Sequence, residues 1–270
     1  MTASLRLPSR DYLAFLDSES ARFTDMLTRA DPAGTVPSCP DWSAADLLWH
    51  LTEVQWFWGS IVGRELHDPA DAESDKPQRP ASYEALLGLQ LEATERLLTA
   101  LGAGDDGDPV WTWLDDDQTR GFVRRRQAHE VLIHRLDAEQ LVGAVTPLDE
   151  ALAADGVDEA LRIMFGGTPA WAEFRRQAGP VTVVCTDTGA RWSTEVGRLV
   201  GTSPSSGAQI DELSLQVHDG RAADPVAQIA GLAEAVDAWL WGRLPAAAVD
   251  MSGDPAALGA FTAVVSAGIE

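Results

Sequence analysis

Positive charge is scarce in this sequence. Its 270 residues hold 20 lysines and arginines against 42 aspartates and glutamates, and lysine occurs once, as Lys76, so the formal charge is −22. Clustered lysine and arginine bind phosphate groups, whereas an acidic surface repels them. We therefore expect no nucleic acid and no anionic membrane as a partner. The preference for arginine over lysine is typical of a GC-rich genome, although a salt-adapted proteome also favours an acidic, lysine-poor surface.

Cysteine and long apolar runs are equally scarce. Cys39 and Cys185 lie far apart and outside any C-x-x-C pattern, which argues against a disulfide framework and against a zinc site made of thiolates. The longest uncharged apolar candidate, residues 54–63, is too short for the ~20 residues of a membrane helix. The first fifteen residues lack the apolar stretch of a signal peptide. We therefore expect a cytoplasmic protein.

What the sequence does contain is helical periodicity in its first half. Apolar residues recur at helical spacing in four segments. Ser43 and Ser82 stand where helix N-caps belong, and Asp46 completes a capping-box pattern with Ser43. Helices of about twenty residues joined by loops, here residues 31–42 and 67–80, predict a four-helix bundle. The predicted helices are residues 11–29, 43–65, 82–102 and 120–143.

The second half has a different residue pattern, which begins after Thr168. Runs of valine and threonine around a turn at residues 187–189 predict a β-hairpin. The other predicted elements are a short helix at 148–165, a strand at 212–220, a strand or helix start at 224–231, a helix at 231–244, a short strand at 247–253 and a final helix at 255–267. The predicted fold class is α+β, with a bundle over residues 1–145 and a smaller C-terminal α/β domain over residues 146–270.

The candidate metal ligands are His50, Glu130 and His134. Glu130 and His134 are four residues apart in a helical segment, so they lie about 40° apart on one helix face. His50 interrupts the apolar stripe of the second helix and therefore points into the bundle. Two buried imidazoles and a carboxylate are costly unless something pairs them. A divalent metal ion does so, with a fourth position left for water or substrate, as in catalytic zinc sites.

Other interpretations of the same residues stay open at this point. An inward histidine is often a hydrogen-bonded core residue, and Glu130 with His134 also fits a hydrogen bond between successive helical turns. The ligand set suits iron, nickel or manganese as well as zinc. The spacing H-E-x-x-x-H is one residue longer than the zincin motif, so His129 is predicted to be a surface or supporting residue. Trp56 and Trp58, near His50 in sequence, are candidates for a pocket wall.

Two motifs resemble a known family. Residues 36–51, VPSCPDWSAADLLWHL, resemble the Pro-x-Cys-Pro-x-Trp loop and histidine-bearing helix of mycothiol-dependent maleylpyruvate isomerase-like proteins. Residues 125–139, RRQAHEVLIHRLDAE, are similar to that family's second metal-binding helix, and residues 237–258 to the end of its C-terminal domain. The resemblance implies a DinB-like four-helix bundle joined to a smaller α/β domain, with zinc bound by His50, Glu130 and His134.

The resemblance also implies a cofactor and a reaction. The family uses mycothiol, the low-molecular-weight thiol of actinobacteria, whose thiolate adds to the cis double bond of maleylpyruvate; rotation and elimination then return the trans product. The family's catalytic arginine matches Arg243, which equally suits a helix C-terminus, and Asp137 is a candidate supporting residue. The alternatives are S-transfer to an electrophile, a metal-dependent hydrolase and a non-catalytic thiol- or metal-binding protein. The sequence does not indicate an oligomeric state.

Overall fold

The computed structural model describes residues 6–204, 206–218 and 224–269. These residues form two compact units, one of residues 7–146 and the other of residues 147–269 together with Arg6. The first unit is helical and the second contains a mixed sheet with helices. The predicted α+β class, with an N-terminal bundle and a smaller C-terminal α/β domain, is confirmed. In the described part of the chain, no helix has both the length and the apolar character needed to cross a membrane.

The first unit is a bundle of four long helices. Two packed pairs, α1 with α5 and α2 with α4, make up most of it, and α2 also contacts α5. Its elements are α1 (Ser9–Arg29), β1 (Thr35–Val36), β2 (Cys39–Ser43), α2 (Ala44–Gly63), α3 (Pro69–Ser74), α4 (Tyr83–Gly102) and α5 (Arg120–Val142).

Local capping chemistry sets the ends of these helices. The Ser43 hydroxyl accepts a hydrogen bond from the backbone of Asp46, and the Asp46 carboxylate accepts one from the backbone of Ser43, which is a complete capping box. Ser82 caps α4 through the backbone N–H of Ala85. At the other end of α5, Gly143 has a φ of 69°, a left-handed conformation that glycine adopts without strain. The predicted helix boundaries are therefore confirmed to within a few residues.

Both predicted loops of the bundle contain regular structure. In residues 31–42, β1 and β2 pair as an antiparallel ribbon, which we call the ribbon (Thr35–Ser43). In residues 67–80, α3 starts at Pro69 behind an Asp68 cap. The prediction of a plain loop at 67–80 was wrong because Pro, Asp and Ser are common both in loops and at helix starts. The prediction at 31–42 was wrong because the ribbon's strands are too short to show an alternating pattern.

In its described residues, the second unit is a six-stranded mixed sheet with three α-helices. Strand β5 pairs antiparallel with β4, β3 and β6, while β4 pairs parallel with β7, and β7 pairs antiparallel with β8. The elements are α6 (Glu150–Glu159), β3 (Ala172–Arg176), β4 (Val181–Cys185), β5 (Arg191–Thr202), β6 (Gln209–His218), β7 (Ala227–Gly231), α7 (Ala233–Leu240), β8 (Asp250–Gly253) and α8 (Pro255–Ala267).

Most predicted elements of this unit are present. The predicted hairpin corresponds to β4 and β5, and residues 224–231 supply a strand rather than a helix start. Strand β3 was not predicted, and the short helix ends in a π-helical turn, Ala160–Met164. The predicted strand at 212–220 begins earlier, at Gln209, and its residues 219–220 lie outside the described part of the chain.

Candidate metal centre

The three predicted ligands lie together inside the bundle. His50 comes from α2, while Glu130 and His134 come from successive turns of α5. Each offers one donor atom, and these atoms lie within 4.8 Å of one another. His50 Nε2 is 3.3 Å from Glu130 Oε1, and His134 Nε2 is 3.2 Å from the same oxygen. Helical spacing brings Glu130 and His134 together, and packing of α2 against α5 adds His50 to them.

Two of the three donor separations match those around a small tetrahedral metal ion, and the third lies within 4.8 Å. Zinc bonds to imidazole nitrogen and carboxylate oxygen are ~2.0–2.1 Å, so neighbouring donors around a tetrahedral zinc lie about 3.3 Å apart. The observed 3.2 and 3.3 Å match that edge. Without metal, the same distances are hydrogen bonds between imidazole and carboxylate. The arrangement therefore satisfies its buried polar atoms in either state.

Neighbouring side chains determine the electrostatics of the cluster. Burial raises the pKa of Glu130, but hydrogen bonds with His134 and His50 outweigh burial and hold that pKa well below its ordinary value. Burial lowers the pKa of His134, yet its hydrogen bonds to Asp137 and Glu130 raise it to about 9. Arg126 Nη2 donates to Glu130 Oε2 over 3.1 Å. This is the carboxylate oxygen that does not contact the two histidines.

The three side chains of the cluster differ in exposure. The side chain of His50 is 33% exposed, that of Glu130 18% and that of His134 8%. Solvent therefore reaches the cluster mainly at His50, while His134 is largely enclosed by protein.

Trp42, on the ribbon, is a site residue that the sequence did not single out. Its ring centroid lies 4.8 Å from that of His50 and 6.3 Å from that of His134. Of the predicted wall residues, Trp58 packs with Trp111 instead, and the Trp56 indole donates to the carbonyl of Asp75. The signal for Trp42 was its place in the Pro-x-Cys-Pro-x-Trp motif, which carries no distance information by itself.

Four further residues were singled out from the sequence. His129 is 1% exposed, with its ring 6.3 Å from that of Tyr12, so the prediction of a surface position was wrong. It is buried because α5 is covered on nearly every face. Arg243 belongs to the second unit, where its Nη1 donates to the Trp241 carbonyl over 2.6 Å, and its catalytic role stays a prediction. Cys39 and Cys185 are both thiols.

The fold and the cluster define a class: a two-domain protein with a His-Glu-His cluster in its helical bundle. A family model for the mycothiol maleylpyruvate isomerase N-terminal domain matches residues 13–139. A second, for the MDMPI C-terminal domain, matches residues 151–260. The chain belongs to the mycothiol-dependent maleylpyruvate isomerase-like family, as its two motifs predicted.

Two solved structures share the fold. The crystal structure of the mycothiol-dependent maleylpyruvate isomerase is 13% identical in sequence, with a TM-score of 0.60 over 92% of this chain and 95% of that chain. A mutant of that isomerase with one histidine changed to alanine gives a TM-score of 0.58, with the same identity and coverage. At this identity the likeness shows the fold alone. No curated protein matches the sequence.

Proposed function

We propose that this protein is a zinc-dependent enzyme that uses mycothiol to isomerise a small unsaturated acid or to transfer the thiol to it. The observation that carries the proposal is the convergence of His50, Glu130 and His134, with donor spacing suited to zinc, inside a domain of this family. Bound zinc supplies a Lewis acid that lowers the pKa of a thiol, so that a thiolate nucleophile exists at neutral pH.

The residues of the chain have distinct parts in this proposal. His50, Glu130 and His134 hold the metal ion, and the accessible His50 side admits the thiol and the substrate. Arg126 orients Glu130 through its second oxygen. Arg243 is proposed as the cation that binds a substrate carboxylate and the negative charge that develops during thiolate addition. We expect the protein to act in the cytoplasm of an actinobacterium, where mycothiol is the thiol at hand.

The first experiment measures metal content. Protein purified without added metal is compared by mass spectrometry with its His50→Ala and His134→Ala variants and with His67→Ala, whose histidine is exposed and outside the cluster. We expect about one equivalent of zinc in the unmodified protein and in His67→Ala, and strong loss in the two ligand variants. Unmodified protein that is folded, metal-free and unable to take up zinc would contradict the proposal.

The second experiment measures turnover. Zinc-loaded protein is assayed with maleylpyruvate and with electrophilic acids, with mycothiol, with another thiol and with none. We expect turnover only with mycothiol. Arg243→Ala should lower kcat/KM by about 10²-fold while the zinc content stays unchanged. Turnover without a thiol would identify a hydrolase, and zinc binding without turnover of any substrate would identify a binding protein.

A further inference from the structure

The buried carboxylate of Asp137 connects the ribbon to one of the proposed metal ligands. Asp137 is fully buried on α5, one turn after His134. Its Oδ2 lies 2.9 Å from His134 Nδ1, the ring nitrogen that faces away from Glu130. Its Oδ1 accepts a hydrogen bond of 2.5 Å from the hydroxyl of Ser38. Ser38, Asp137 and His134 therefore form one continuous chain of hydrogen bonds.

The ribbon contacts the site at a second point as well. Ser38 lies between β1 and β2, and Trp42 lies on β2 with its ring against His50. One short element therefore contacts His50 of α2 directly and is connected to His134 of α5 through Asp137. The ribbon adds little to the bundle core, since Val36 is its one fully buried apolar side chain before Ala44. Its polar contacts therefore indicate that the ribbon contributes to the cluster rather than to the core.

The hydrogen-bond chain fixes what His134 offers to a metal ion. A carboxylate accepts hydrogen bonds only, so Nδ1 of His134 keeps its proton toward Asp137, and a metal ion that displaces the Nε2 proton would meet the lone pair of Nε2. Because Ser38 engages the other oxygen, the carboxylate is held against rotation, and the imidazole plane with it. Carboxylates that orient a metal-bound histidine in this way typically change metal affinity by ~10–100-fold.

We propose that Ser38 and Asp137 are positioning residues that hold His134 in the tautomer and orientation needed to bind zinc, and that the ribbon serves the metal site through them. The inference rests on the proposed function, because it assigns these residues to the same zinc site. It adds that zinc affinity depends on Ser38, which lies 99 positions before its partner Asp137 in the chain.

Zinc affinity, measured by competition with a chromophoric chelator, tests the proposal. We expect Asp137→Ala to weaken binding by roughly 10–100-fold and Ser38→Ala to weaken it less, whereas Ser38→Thr, which keeps the hydroxyl, restores it. Ser82→Ala is the matched control, because it removes the cap of α4, a helix without ligands, and so lowers stability but not affinity. If Asp137→Ala does not fold, Asp137→Asn takes its place.

A second readout separates positioning from general destabilisation. The visible absorption of bound cobalt(II) depends on ligand geometry, so it should change in Ser38→Ala and Asp137→Ala and stay unchanged in Ser82→Ala. Equal zinc affinity in all variants, or equal weakening in Ser82→Ala, would overturn this inference while leaving the zinc site intact. Failure of the unmodified protein to bind zinc would instead overturn the proposed function.

Discussion

Single residues at the cluster show how hydrogen bonds offset the free-energy cost of burying charged groups inside a helical bundle. A buried charge costs several kcal/mol unless it is paired and hydrogen-bonded. Glu130 has a partner at each oxygen, with the two histidines at Oε1 and Arg126 at Oε2. His134 has a carboxylate at each ring nitrogen. Since these partners come from the protein itself, the bundle can fold before a metal ion arrives.

The two cysteines differ in environment, and we predict that they differ in reactivity. Burial, followed by the charges of Asp187 and Asp237, raises the pKa of the Cys185 thiol to about 12. At pH 8 a thiol with that pKa is ionised only about one part in 10⁴. Cys39 is partly exposed. A disulfide reagent should therefore label one thiol in native protein and two after denaturation, and Cys39→Ser should lose the native reaction. Rapid labelling of Cys185 in native Cys39→Ser would contradict this.

Among the elements, α5 is unusual because it is central to the bundle and yet rich in charge. Its last turns carry Glu139, whose side chain is fully buried. Glu139 accepts from Arg22 of α1 over 2.7 Å, from Arg135 of α5 over 2.9 Å and from the backbone of Thr146 over 2.8 Å. This carboxylate thus joins α1, α5 and the segment that follows α5, and charge pairing replaces part of the apolar packing.

We predict that Glu139→Gln destabilises the bundle by about 2–3 kcal/mol at pH 7, because it leaves buried Arg135 with only one carboxylate partner. That remaining partner is Glu19, whose Oε2 is 2.5 Å from Arg135 Nε. Urea unfolding followed by circular dichroism measures the change. Glu92→Gln, at an exposed position of α4, is the control and should change stability little.

The same variant should show a characteristic pH dependence. Burial raises the pKa of Glu139, but hydrogen bonds from Thr146 and Arg22 outweigh burial and lower it. A lowered pKa stabilises the fold above the unfolded value of about 4.3, and this contribution is lost as the pH falls through the lower, folded pKa. The stability difference between unmodified protein and Glu139→Gln should therefore be constant above pH 5 and shrink below about 4.3. A difference that grows on acidification would contradict the assignment.

The elements also show which parts of the fold a sequence can reveal. The ends of α2, α4 and α5 were predictable because Ser43, Ser82 and Gly143 act on backbone groups within a few residues. Glu130 and His134 were predictable as a pair because a helix fixes their angular separation. The ribbon was not predictable, since its strands of two and five residues are too short to show an alternating pattern.

At the scale of the whole molecule, the remaining parts of the site depended on tertiary packing. Ser38 and Asp137 meet across 99 positions of the chain, and Trp42 meets His134 across a similar separation. No spacing rule links such residues. His129 was placed wrongly for a related reason, because helical periodicity predicts one buried face and α5 is buried on nearly all of them. Sequence patterns identified the three side chains of the cluster, and packing supplied what surrounds them.

The net charge of −22 gives a prediction for the molecule as a whole. Acidic residues outnumber basic ones by 42 to 20, so the net electrostatic interaction among the charged side chains at neutral pH is repulsive. Salt screens this repulsion, with a Debye length of about 10 Å at 0.1 M and about 3 Å at 1 M. Sodium chloride added from low ionic strength to molar concentration should therefore raise the Tm, by about 2–4 °C for each kcal/mol of repulsion removed.

The control for this effect is the same titration near the sequence pI of about 4.4, where the net repulsion disappears and the Tm should respond much less to salt. Potassium chloride should act like sodium chloride, because screening depends on ionic strength and not on the identity of the cation. A Tm that falls with salt at neutral pH would mean that exposed ion pairs such as Arg29 with Asp25 contribute more to stability than the excess negative charge removes. Exposed ion pairs contribute only about 0–1 kcal/mol each, and buried pairs such as Arg135 with Glu139 are poorly screened, so we expect the rise.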